Sequence, residues 1–257
     1  MTLTKSQISD IKNLLKDKID KKLKDYARET SSMPFLAKLM QDNEKVASYS
    51  FIQSLLTTLG MSIYEEVARI IAEPNFDIAK TGYDVEGEIS NEENEIISKI
   101  LQEIKNKTRK ANKEQEIKEI LQCKSRTGRK IKVRADIYLK KGNEEYYIEI
   151  KTAKPNIDVF AKSKEKLLQW VALRNKKVNT VLAIPYNPYF PEPYSRFTMQ
   201  GYLDEKEELY VADKFWEFLG GKGTYKEVLE IFDEVGKEPK GKIQNKIKEV
   251  AEEKMDV

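Results

Sequence analysis

The sequence contains no histidine and a single cysteine, Cys123, in 257 residues. Without imidazole no Ser-His-Asp or Cys-His triad can form, and metal or nuclease chemistry that depends on histidine is excluded. One cysteine permits neither an intramolecular disulfide nor a cysteine-based zinc site. Long apolar runs are also missing, since no stretch approaches the roughly 20 residues that span a bilayer. The opening MTLTKSQISDIKNLL lacks the unbroken apolar core of a signal peptide, so a cytoplasmic protein is expected. What remains for acid–base and ligand chemistry is carboxylates, lysines and tyrosines, a set that favours hard metals with oxygen ligands.

Charge is abundant but nearly balanced: 46 Lys and Arg against 43 Asp and Glu, a net +3. Global basicity therefore does not advertise a nucleic-acid partner, although a local basic face is sufficient for one. Ile8, Ile11, Leu15, Ile19 and Leu23 recur at helical spacing and predict an amphipathic helix over about 4–28. SSMP (31–34) interrupts it. The stretch 46–72 is apolar on most faces, which predicts a buried helix or helix pair, with Gly60 marking a break or close contact. Residues 74–90 read as loop and a possible short strand, and 92–122 as one long charged helix.

Beyond residue 123 the pattern changes to period two. IKVRADIYL (131–139) and YYIEIK (146–151) predict strands joined by a turn at Gly142 and Asn143. A helix over 158–175, the apolar strand 178–185, a proline- and aromatic-rich loop at 185–202, a short strand with two helices, and a charged C-terminal helix follow. The expected fold is α/β, or α+β mixed: a central mixed sheet flanked by helices. It is read as a single domain, with a mainly helical part (1–122), a sheet core (123–202) and C-terminal helices (203–257).

The chemistry-bearing residues lie on the two central strands. Alternation puts Val133, Ala135, Ile137 and Leu139 on one face, and Lys132, Arg134, Asp136 and Tyr138 on the other. In the next strand Glu149 and Lys151 oppose Ile148 and Ile150. Pairing the strands with their apolar faces together gathers Asp136, Glu149 and Lys151. Two carboxylates and a lysine suit phosphodiester hydrolysis. Asp136, Glu149 and the Ile150 carbonyl can hold Mg²⁺, and Lys151 can orient water and offset transition-state charge. The string EIK occurs three times (103–105, 116–118, 149–151), and only the last falls on a strand. The alternative is a half-exposed hairpin with a cross-strand ion pair.

Asp136 followed by Glu149-Ile150-Lys151 resembles the signature of the PD-(D/E)xK nuclease superfamily, with Ala135 in place of the usual proline. The longer strings FIQSLLTTLGMSIYEEVA, RADIYLKKGNEEYYIEIKTAKPN, AIPYNPYFPEPYSRFTMQGY and FWEFLGGKGTYKEVLEIFDEVG together resemble the TdeIII-type family of type II restriction endonucleases. The likeness covers most of 35–235; the first helix and the tail after Gly236 add nothing to it. It implies a restriction-endonuclease-like core with extra N-terminal helices and a Mg²⁺-dependent homodimer that cuts double-stranded DNA site-specifically. A DNA methyltransferase would be its genetic partner.

By the same likeness Asp136 and Glu149 are metal ligands, Lys151 is the catalytic lysine, and a helix acid joins them: Glu65, or Glu66 as second choice. A short GC-rich interrupted palindrome, GGNCC, is the suggested target. For DNA contacts, Lys124, Arg126, Arg129, Lys130, Lys132 and Arg134 concentrate positive charge beside Asp136 and either clamp phosphates or are simply solvated. Asn187, Arg196 and Gln200 either read base edges or belong to a loop braced by its tyrosines and prolines. A repair or junction-resolving nuclease, or a non-catalytic DNA-binding protein, are the competing readings.

Overall fold

A computed structural model describes residues 2–29, 33–124 and 127–254, and the chain forms two compact units. The first unit comprises residues up to 70 and from 223 onward and is helical. It contains α1 (Lys5–Glu29), α2 (Pro34–Met40), α3 (Asn43–Thr58), a π-helical turn at Leu59–Ile63, the start of α4 (Tyr64–Ala72), α9 (Thr224–Lys237) and α10 (Lys240–Lys254). Gly60, expected to mark a break or close contact, falls in the π turn. Tyr26, Ala37, Val46, Ala47, Phe51, Val250 and Ala251 form a core in which Tyr26 meets Phe51 edge-on at 5.0 Å. Within the stretch 46–72, α3 is buried on one side only, with Tyr49, Ile52 and Leu56 exposed on the other, whereas Ile63, Val67, Ala68, Ile71 and Ala72 are buried as expected.

The second unit, residues 71–222, holds a five-stranded sheet in the order β1 (Ile78–Ser90), β2 (Gly128–Lys141), β3 (Glu144–Ile150), β4 (Asn179–Ile184) and β5 (Leu209–Val211). The first three strands pair antiparallel and the last three parallel, giving the expected mixed sheet. Gly142, at φ 56°, starts the two-residue turn between β2 and β3, where a positive φ is demanded and a side chain would be strained. Helices α5 (Asn91–Lys105), α6 (Lys113–Leu121), α7 (Ile157–Arg174) and α8 (Asp213–Gly220) complete the unit.

Two sequence expectations change here. Residues 78–90 form a full strand rather than loop, because β2 supplies a hydrogen-bonding partner along its whole length. It ends at Ser90, which caps α5 in a reciprocal box with Glu93. The long helix over 92–122 is instead two helices: Lys107 takes a left-handed φ of 60°, and the Asn112 side chain starts α6 by accepting the Gln115 N–H. Arg109, in the break, joins Glu103 of α5 to Glu119 of α6.

Candidate active site

The β2–β3 hairpin has the expected register, with Ile137 opposite Ile148 and Tyr138 opposite Tyr147. Its faces do not alternate as simply as the sequence suggests. Ala135 and Tyr138, three residues apart, join the same buried cluster, and so does Val85 on β1, opposite Val133. Strict alternation would send Ala135 and Tyr138 to opposite faces. The pleat slips by one between them, beside Asp136. Across the sheet at this point lies Gly82, at φ 59°, a conformation for which glycine is suited. Val133 and Ala135 therefore do not share a face with Ile137 and Leu139.

Asp136 sits at the slip and closes it: its Oδ2 accepts the Ile150 N–H at 2.7 Å. Burial, and then the neighbouring Glu149 carboxylate, push the Asp136 carboxyl above its ordinary range. Glu149 is almost fully buried, and its two oxygens are held by two lysines. Lys151 reaches Oε1 at 2.5 Å, and Lys166 of α7 holds Oε2. Both lysine side chains remain partly exposed, so the cluster opens to solvent on their side.

Lys166 is the member that sequence reasoning missed. An aromatic run positions it: Tyr83 stacks on Tyr138 at 4.2 Å, Tyr138 neighbours Tyr147 at 5.2 Å, and Tyr147 neighbours Trp170 at 6.0 Å. The Trp170 indole N–H donates to the Val133 carbonyl at 3.2 Å, tying α7 to β2. One turn earlier in the helix, the Lys166 ammonium lies over the Trp170 ring at 5.5 Å. The spacing Lys166–Trp170 was legible, but in a chain with 46 basic residues nothing marked this lysine.

The other expected residues are distributed as follows. Glu65 and Glu66 lie in the first turn of α4, where Glu66 pairs with Arg69 at 2.8 Å. Among the described residues no group of three or more acidic, cysteine or histidine side chains forms a metal site, so Asp136 and Glu149 stand as a pair. Arg129, Lys130, Lys132 and Arg134 are exposed along β2, and Lys124 is exposed just before it; Arg126 lies outside the described residues. Lys132 is engaged by Asp84 and Glu86 across the strand pair. In the 185–202 loop, Asn187 spans the Tyr189 N–H and the Glu192 carbonyl. Arg196 and Thr198 both donate to the Pro155 carbonyl, and Tyr194 to that of Ala153. These bonds brace the segment that follows Lys151. Gln200 is exposed, at φ 44°.

A second lysine–carboxylate cluster lies in the same unit. Lys164 of α7 is completely buried between Glu116 of α6 and Glu208, with contacts of 2.5 to 2.7 Å. Glu116 belongs to the second EIK string, within the stretch expected as one long charged helix. It is instead fully buried, and that burial raises its carboxyl pKa.

The family described as "Type II restriction endonuclease, HinfI" matches residues 3–236, so the match takes in the first helix and stops at the tail. The type II restriction enzyme HgiCII of Herpetosiphon aurantiacus is 30% identical over 77% of this chain and 75% of its own. HgiEI of the same organism is 28% identical over 89% and 86%. MjaII of Methanocaldococcus jannaschii is 29% identical over 73% of this chain and 54% of its own. No solved structure is a significant match. The expected type II restriction endonuclease character holds, with the HinfI family as the matching one, and the chain belongs to the HinfI family of type II restriction endonucleases.

Proposed function

We propose that this endonuclease hydrolyses both strands of double-stranded DNA at a short palindrome, with Mg²⁺ held by Asp136 and Glu149. The observation that carries the reading is the convergence of these two carboxylates with Lys151 and Lys166 at one slipped hairpin. Two carboxylates with water as the remaining ligand are a donor set that suits Mg²⁺, which keeps much of its hydration shell. The Ile150 carbonyl is the proposed third protein donor. Bound there, Mg²⁺ would polarise the scissile phosphate and acidify a water molecule.

The protein's own groups supply the rest. The Ile150 N–H fixes the Asp136 carboxylate, so its orientation requires no reorganisation when DNA arrives. Lys151 is the group proposed to orient the attacking water and to offset charge on the pentavalent phosphorus. Lys166 holds the second oxygen of Glu149 and keeps that side chain aligned. Arg129, Lys130 and Arg134, exposed on β2, are proposed phosphate contacts. Arg126 is proposed by its place in the sequence, and Asn187, Arg196 and Gln200 are candidate base contacts. A cytoplasmic homodimer acting beside a cognate methyltransferase completes the proposal, and GGNCC is its suggested target.

Digestion of long DNA with Mg²⁺ is expected to give discrete fragments whose sequenced ends share one palindrome. A smear, or a requirement for branched DNA, would remove the site-specific reading and favour a repair or junction-resolving enzyme.

A further inference from the structure

We propose that the outer face of α2 and α3 is the surface through which two copies of this chain associate. This deepens the homodimer reading above, and the need for two copies rests on that reading. The position of the face does not. Tyr49, Ile52 and Leu56 form one stripe along α3 at helical spacing, and all three are substantially exposed. On α2, which packs against α3, Phe35 is 92% and Leu39 is 80% exposed, and Met40 is also open. The inner sides of both helices are already used, by Ala37, Val46, Ala47 and Phe51. Burial of this stripe within its own unit is therefore not available to it.

Area and charge both select a second copy as the occupant. The six side chains expose on the order of 700 Å² together, near the ~800 Å² per partner of a standard interface and above what monomers usually leave apolar. Every residue from Val46 to Tyr64 is uncharged, in a chain that is 35% charged overall, and α2 carries a single charge, the exposed Lys38. An isologous contact sets a surface against itself, residue i meeting j and j meeting i, so a charge in it needs an opposite charge within the same patch. The uncharged stripe of α3 pairs with itself without that requirement and offers little to an acidic or basic partner.

Sedimentation of the full chain at micromolar concentration tests this. The wild type is expected at twice the chain mass. Ile52→Glu with Leu56→Glu, and separately Ile52→Lys with Leu56→Lys, should each sediment as a monomer with unchanged circular dichroism. Mixing the two should restore the dimer mass, because opposite charges then meet across the face. Should the charged variants fail to fold, Ile52→Ala with Leu56→Ala adds no charge and should weaken the dimer on the order of tenfold or more. A monomeric wild type, a dimer that survives these substitutions, or folded charged variants that do not re-pair would each overturn the assignment. A dimer that does not cut DNA would leave the face standing and remove the nuclease reading. Double-strand cutting by a monomer would do the reverse.

Discussion

Two lysines of helix α7, Lys164 and Lys166, stand two residues apart and meet carboxylates on different sides of the helix. Lys164 is sealed between Glu116 and Glu208, whose carboxylates also accept the Asn112 and Asp204 N–H groups. Lys166 shares Glu149 with Lys151 at a site where both cations still touch solvent. The residue types are the same, but the surroundings differ. A charge cluster closed on every side gives α6, α7 and the approach to β5 one way to fit together. One that keeps exposed cations and a disfavoured carboxylate can exchange partners, which is what binding a metal and a phosphate demands.

The largest effect that would sharpen this contrast is expected at Asp136 and Lys151. Asp136→Ala or Lys151→Met should lower the cutting rate by roughly a thousandfold or more while DNA binding stays measurable by gel shift. Full activity in Asp136→Ala would dissolve the site. Next, Lys164→Met strands two buried carboxylates and should cost about 3–5 kcal/mol in denaturant unfolding. If it proved neutral, the sealed cluster would not organise the fold.

Lys166→Ala should lower cutting by roughly ten- to a hundredfold, as for other groups that orient a ligand side chain, with little change in unfolding. Equal loss of stability at Lys164 and Lys166 would erase the distinction between the clusters. The smallest effect is on Asp136→Asn with a chelator present. Because burial and Glu149 raise the Asp136 pKa, the ionised form disfavours the fold: stability present below the unfolded pKa is lost as pH rises through the folded one. Asparagine keeps the acceptor for the Ile150 N–H without the charge, so its melting temperature at neutral pH should exceed that of the wild type. The gap should close as the pH falls into the carboxylate range.

The trio Asp136, Glu149 and Lys151 was legible because strand alternation and a glycine turn are local, and both lie within some twenty residues of sequence. The same alternation misassigned Val133 and Ala135, since the slip at Asp136 depends on Gly82, which is far away along the chain. β1 was hidden for a related reason: its glycines and charged residues have low strand propensity, and only β2 makes it a strand. The EIK strings show both outcomes. Strand context singled out Glu149, which the fold sets beside Asp136 and Lys151, but Glu116 looked like any charge on a helix until its partners were known.

What the sequence by itself determined was therefore the chemistry on offer: no histidine, carboxylates and lysines, one hairpin, and the long strings that carry the family likeness. The tertiary structure decided which charges meet. Lys166 reaches Glu149 because an aromatic run sets α7 on the sheet. Lys164 meets Glu116 and Glu208, which stand 48 and 44 residues away in sequence. Local periodicity encodes the direction a side chain takes from its own backbone. It carries no information about which distant group will be waiting there.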